Sequence, residues 1–299
     1  MSEFTGVDLS QLPPPNVIEP LDFEVIFARK LARLIGLDRT FDALVESDPA
    51  YKVLQVAAYD ELLLRQRINE AAKAVMLAYA EDEDLDQLAA NFQLKRLIIT
   101  PADPAAIPPV PAVYESNESL RRRVQLSFEG FTTAGSQGSY IFAALNASGL
   151  VLDANAFSPE PGLVSVYVLS REGNGTSSEQ LLNSVVAAVN AEEVRPMTDQ
   201  VTVLSAAVTD YQIEAVITVF PGPDAELIRQ AAIEAARAYT DSVHKMSYDV
   251  TYSGLMAALH RPGVQSVELI TPAASIVNDE GEASYCTNIN VTLAGAADV

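Results

Sequence analysis

The chain has 299 residues, 49% of them apolar, and carries 40 Asp and Glu against 19 Lys and Arg, a net charge of −21. That apolar content excludes global disorder, and the length suits about two domains or one elongated set of modules. The acidic balance argues against a free nucleic-acid binder, and the short run Arg121-Arg122-Arg123 does not reverse it.

The first residues lack the basic start and apolar run of a signal peptide, and no apolar window is long enough to cross a membrane, so neither export nor membrane insertion is expected. Cys286 is the single cysteine, which excludes a disulfide frame and fits a reducing cytosol.

Residues 1–20 contain Leu12-Pro13-Pro14-Pro15 and Glu19-Pro20 and read as an extended arm, either dangling or lying along a partner. A helical region follows over 21–96. Asp22 opens a helix with Phe23, Ile26, Phe27, Leu31 and Leu34 on one stripe and Gly36 at its end. A short helix is expected over Arg39–Glu46. Asp48-Pro49 then breaks the chain before a long helix that starts near Tyr51 and runs to Ala80. Leu64, Ile68, Ala72, Val75 and Tyr79 recur at helical spacing along it. Glu61 stands four residues before Arg65, the favourable order for a helical ion pair. Arg65, Gln66, Arg67, Asn69 and Glu70 form a polar belt, either a solvated face or a register-setting contact with another long helix.

The acidic stretch Glu81–Asp86 alternates as calcium-loop ligands do, but Gln87 and Gln93 stand where such a loop needs Gly and Glu. It reads instead as a helix start capped by Asp82 or Asp84, with Leu85, Leu88 and Phe92 packing behind it. These helices present several apolar faces with little chain to cover them, a situation usually met by packing against another chain.

Residues 97–114 hold Pro101, Pro104, Pro108, Pro109 and Pro111 and read as a stiff linker running over a surface. The remainder is α+β, in two small modules at 115–206 and 207–299. Ser116 or Asn117 caps a helix through Leu120, Val124 and Phe128. Strands are expected at Leu150–Phe157, Leu163–Leu169, Asp199–Ala206, Tyr211–Phe220, Val264–Thr271 and Tyr285–Leu293. Helices are expected at Ser177–Asn190, after Asp224 with Leu227, Ile228, Ala231 and Ala235 inward, and at Ser253–Leu259. A weak internal repeat aligns Ser139, Ala143, Ala144, Leu145 and Gly149 with Ser253, Ala257, Ala258, Leu259 and Gly263, each piece leading into strand, turn, strand.

Little points to chemistry. His244 and His260 lack ligand spacing and suit helix ends. Cys286 sits in a strand pattern with no partner histidine. Gly173-Asn174-Gly175-Thr176 lacks the ending of a phosphate loop and reads as a loop into a helix cap. No catalytic residue, metal or cofactor is expected.

Several of these stretches together resemble the baseplate J-like family of contractile phage tails and phage-derived bacteriocins. The resemblance is carried by Leu63-Leu64-Arg65 with Arg67-Ile68-Asn69-Glu70-Ala71-Ala72, by Asp84-Leu85-Asp86-Gln87-Leu88-Ala89, and by Glu118, Leu120-Arg121 and Arg123. It continues through Thr133-Ala134-Gly135-Ser136 with Tyr140 and Ala144-Leu145, then Ser158-Pro159, Pro161-Gly162, and Arg195-Pro196 with Asp199. Ala257-Ala258-Leu259 with Pro262-Gly263-Val264 completes it.

The resemblance implies a non-enzymatic wedge subunit, acting in the baseplate of a virion or bacteriocin particle and assembled in the host bacterial cytoplasm. It implies two copies joined to a smaller, protein-I-type tail protein, six such wedges around a central hub, and changes in mutual contacts that trigger sheath contraction. The helical region would contribute to a bundle shared between subunits, with Leu64, Arg65, Arg67, Ile68, Asn69, Leu85 and Leu88 at the interface. The Pro-rich segment would absorb the difference between the two copies. The alternatives are the wedge protein of a type VI secretion baseplate and a tail-associated glycan-binding protein or enzyme; the helical first third opposes the last.

Overall fold

The computed structural model describes residues 9, 12, 13, 15, 17–132, 135–222 and 224–296. Much of the expected arm, and the Thr133-Ala134 pair of the family resemblance, lie outside the described residues. The chain forms two compact units. One comprises Thr5–Lys95 with Ser116–Arg122, and the other Arg96–Glu115 with Arg123–Val299.

In the first unit, α1 (Phe23–Leu37) starts where Asp22 accepts the Val25 N–H at 3.1 Å. It runs through Gly36. Asp38 ends it, sending its N–H to the Leu34 carbonyl and accepting the Thr40 N–H on its carboxylate. The helix expected over Arg39–Glu46 is a single 3₁₀ turn, Arg39–Phe41. The chain leaves the helical path because the Asp48 carboxylate takes the Val45 N–H at 2.9 Å, a local bond that competes with helix propagation.

Helix α2 (Pro49–Ala74) begins on Pro49, whose missing N–H costs nothing in the first turn. It stops six residues short of Ala80. Over the following turns the carbonyls of Leu77 and Ala80 are taken by the Arg121 guanidinium, both at 2.7 Å. Helix α3 (Asp82–Ala90) has Glu81 at its cap position without a side-chain bond, so neither Asp82 nor Asp84 caps it. Asp82, Glu83 and Asp84 fill its first turn, favourably placed against the helix dipole, and Leu85 and Ala89 are buried. The first two helices pack on each other through Ile26, Phe27 and Ala58, flanked by Phe23, Leu31, Tyr51, Leu54 and Leu62. Ser116 caps α4 (Asn117–Leu126) by accepting the Ser119 N–H.

The second unit corrects the linker reading of 97–114. β1 (Ile98–Thr100) pairs antiparallel with β2 (Val113–Tyr114), and Asp103 bridges to Val110. The ends of the segment meet, Glu115 N–H to Leu97 carbonyl at 3.0 Å, so it is a hairpin and spans no distance. Phe128, expected on the helix after Ser116, lies beyond the end of α4 at Leu126 and is 67% exposed.

The first module contains α5 (Gln137–Ala147), β3 (Val151–Phe157), β4 (Leu163–Ser170), α6 (Glu179–Val189) and β5 (Gln200–Ser205). Central β4 is antiparallel to β3 and parallel to β5. The second contains β6 (Ala207–Val219), α7 (Ala225–Val243), α8 (Tyr252–Leu259), β7 (Val264–Thr271) and β8 (Glu282–Ala296). Central β6 is antiparallel to β7 and parallel to β8. The two sheets therefore share one plan, with the strand–helix and helix–strand pairs taken in opposite order along the chain: α5-β3 then β4-α6, against β6-α7 then α8-β7.

The repeat thus holds for helix plus first strand and fails afterwards, since β7 and β8 flank β6 and do not pair. The aligned serines lie inside their helices; Ser136 and Thr251 are the caps, and Ser178 caps α6. On α7 the buried row is Ile228, Ala232, Ala236, Thr240 and Val243, which leaves Leu227 and Ala231 exposed. Each core lies between a sheet and its helix pair. The modules join through Leu169, Ala206, Met246 and Ala283. Buried Asp153 accepts the Met246 N–H at 3.0 Å beside them. The architecture is α+β throughout, helices first and sheet modules after.

Candidate assembly surface

Helix α2 carries apolar residues on two sides. Tyr51, Leu54, Ala58 and Leu62 face α1. Val53, Val56 and Leu64 fall away from that side, Ile68 flanks them and Val75 follows at the helix end; all remain exposed, Leu64 by 65%, Ile68 by 61% and Val75 by 70%. The helix and its C-terminal end thus offer aliphatic side chains that the described residues leave mostly open.

The polar belt divides along the same line. Arg67 is exposed beside Ile68. Arg65 is half-buried, its Nε on Glu61 at 3.0 Å and a terminal nitrogen on Glu19. Glu61 also binds Lys30 at 2.8 Å and pairs with Arg29. The hydrogen bond from Lys30, helped by Arg65 and Arg29, brings the Glu61 carboxyl down to about 2. Asn69 is buried, its amide bonded to the backbone of Glu19.

Of the seven residues expected at an interface, Leu64, Arg67 and Ile68 therefore lie outward. Arg65 and Asn69 are engaged within the chain, Leu85 is fully buried and Leu88 is half-buried. Spacing shows that a helix has apolar rows but not which row its own chain will cover. The Glu61–Arg65 pair was readable from sequence, whereas Glu19, 46 residues from Arg65, carried no local signal.

The polar groups elsewhere serve the fold. His244 ends α7 with Nδ1 2.8 Å from the Ser284 carbonyl, and His260 ends α8. Burial pushes the Cys286 thiol up from its ordinary value. Among the described residues no group of three or more His, Cys, Asp or Glu could hold a metal ion.

The Baseplate J-like N-terminal, central and C-terminal domain profiles match residues 46–103, 132–205 and 211–292 respectively. Baseplate protein J of Escherichia phage P2 is 48% identical over 299 residues, covering 97% of this chain and 98% of that protein. The chain belongs to the baseplate J-like family. As a baseplate J-like protein it is a baseplate subunit. Among solved structures, a six-fold symmetrised cryo-EM baseplate of the anti-feeding prophage matches at TM-score 0.43 and 17% identity, over 60% of this chain and 44% of that chain. The match spans less than half of that chain and is too distant to bear on the fold.

Proposed function

We propose that this baseplate J-like protein is a wedge subunit that assembles through the open face of α2, against a second copy of itself and a smaller, protein-I-type tail protein. Six such wedges surround a central hub, and changes in their mutual contacts trigger sheath contraction. The particle, virion or bacteriocin, assembles in the host cytoplasm. The role calls for no catalysis, no direct contact with nucleic acid and no membrane insertion.

The observation that supports this reading is a helix with two apolar sides and a cover for only one. Burying Leu64, Ile68 and Val75 would contribute about 1.5–3 kcal/mol each, enough together to offset part of the cost of association. Leu64, Arg67 and Ile68 make the contact. Arg65 and Asn69 border it, and Leu85 and Leu88 lie on α3, Leu85 fully buried.

The test is co-expression with the adjacent small tail protein, followed by native mass measurement. The expected species contains more than one copy of this chain with the small protein. A lone chain at every concentration, with the small protein unbound, refutes the proposal.

A further inference from the structure

The segment ahead of α1 is fastened to α2 by an unusual contact. The Asn69 amide donates from Nδ2 to the Glu19 carbonyl at 2.8 Å and accepts the Glu19 N–H on Oδ1 at 3.1 Å. One side chain thus satisfies both backbone groups of one residue, as a neighbouring strand would. Arg65 pairs with the Glu19 carboxylate, and the Tyr79 hydroxyl donates to the Leu12 carbonyl at 3.1 Å. Asn69 and Arg65 together recognise an extended residue that carries a carboxylate.

The fastening is mainly polar. Leu12, Val17 and Leu21 stay exposed and Ile18 is half-buried, so docking gains limited apolar burial. Partly exposed hydrogen bonds and an exposed ion pair each add little net stability, so the segment is lightly held. Pro13, Pro15 and Pro20 restrict the backbone, so a released segment has little order to regain on rebinding. Pro20-Leu21 forms a short joint before the Asp22 cap.

We propose that Arg65 and Asn69 are a docking site for residues 17–20 of a second copy of this chain, exchanged for the chain's own segment on assembly. Exchange between identical chains keeps every contact and replaces an intramolecular fastening with a link between subunits. It rests on the reading above, that two copies meet along α2.

The test uses full-length chains with Cys286→Ser. One version carries Val17→Cys and the other Lys73→Cys, an exposed position one turn beyond Asn69 on the same side of α2. The two versions are co-assembled with the small tail protein and treated with a short bis-maleimide. Exchange gives a covalent dimer of the two versions about ten-fold above a pair in which exposed Val277→Cys replaces Lys73→Cys, because docking sets a high local concentration. Adding Asn69→Ala and Arg65→Ala returns the yield to that background. If native mass shows two associated copies but the dimer stays at background, exchange is wrong and the assembly reading stands. If the copies never associate, both fail.

Discussion

Glu115 and Arg123 form an ion pair with both side chains buried, at the base of the β1–β2 hairpin. Glu115 Oε1 also accepts the Leu97 N–H at 2.9 Å, and Arg123 reaches Asn146 Oδ1 at 2.6 and 2.9 Å. Burial pulls the guanidinium down from its ordinary value while Glu115 holds it up. Removing one partner strands the other charge in a dry site, so Glu115→Ala should cost about 3–5 kcal/mol in urea unfolding. The double replacement Glu115→Leu with Arg123→Met should recover much of that loss. A double variant no more stable than the single one would show that the hydrogen bonds to Leu97 and Asn146 dominate, and the charge pairing little.

Glu61 gives the α1–α2 pair a defined pH response. Its folded carboxyl is lowered from 4.5 to about 2 by the hydrogen bond from Lys30 and by Arg65 and Arg29. The stabilisation is therefore present above pH 4.5 and is lost as pH falls toward 2. Glu61→Gln should make the amides of α1 and α2 exchange faster than wild type at pH 6, with the gap closing on acidification. A gap that persists unchanged at pH 2 would assign the effect to packing.

At Asp224 the cap was legible and the row, apart from Ile228, was not, whereas the capped start at Asp22 and its apolar row were both legible because cap and row lie within a few residues. The alternating strands Val151–Phe157, Leu163–Ser170 and Val264–Thr271 were legible for the same reason. Contacts that close over long sequence distances were not. Nothing near Leu77 announces that Arg121, 44 residues away, will take its carbonyl. The hairpin at 98–114 reads as a linker because its strands are two and three residues long and its prolines dominate the pattern. On α2 the row through Leu64, Ile68 and Val75 was visible in the sequence, but that the chain covers the other side, through Leu54, Ala58 and Leu62, shows only once α1 has packed on it.

Gly149 and Gly263 occupy matching places in the repeat for different reasons, which predicts different costs. A Cβ on Gly149 would lie 2.3 Å from the Ile98 carbonyl oxygen, a backbone atom that cannot move without disturbing β1. Gly263 has φ +95, and its Cβ would meet only the end of the Ile228 side chain, at 2.6 Å. Gly149→Ala should therefore displace the hairpin, seen as loss of amide protection at Ile98–Thr100. Gly263→Ala should cost about 1–3 kcal/mol of global stability and leave that hairpin protected. Equal loss of hairpin protection in both variants would contradict the distinction.

The open and covered positions of the helical unit should separate folding from assembly. Leu64→Asp with Ile68→Asp places charge on side chains that the described chain leaves mostly exposed, so thermal stability should shift by about 0.5 kcal/mol or less per site. Recovery of the small tail protein in a pull-down should fall sharply. Leu85→Ala deletes a fully buried side chain and should cost about 2–5 kcal/mol through the cavity it leaves, lowering partner recovery only as far as it lowers the amount of folded protein. If Leu64→Asp with Ile68→Asp unfolds the isolated chain, that face is covered within the molecule. If it leaves both stability and recovery unchanged, assembly uses another surface.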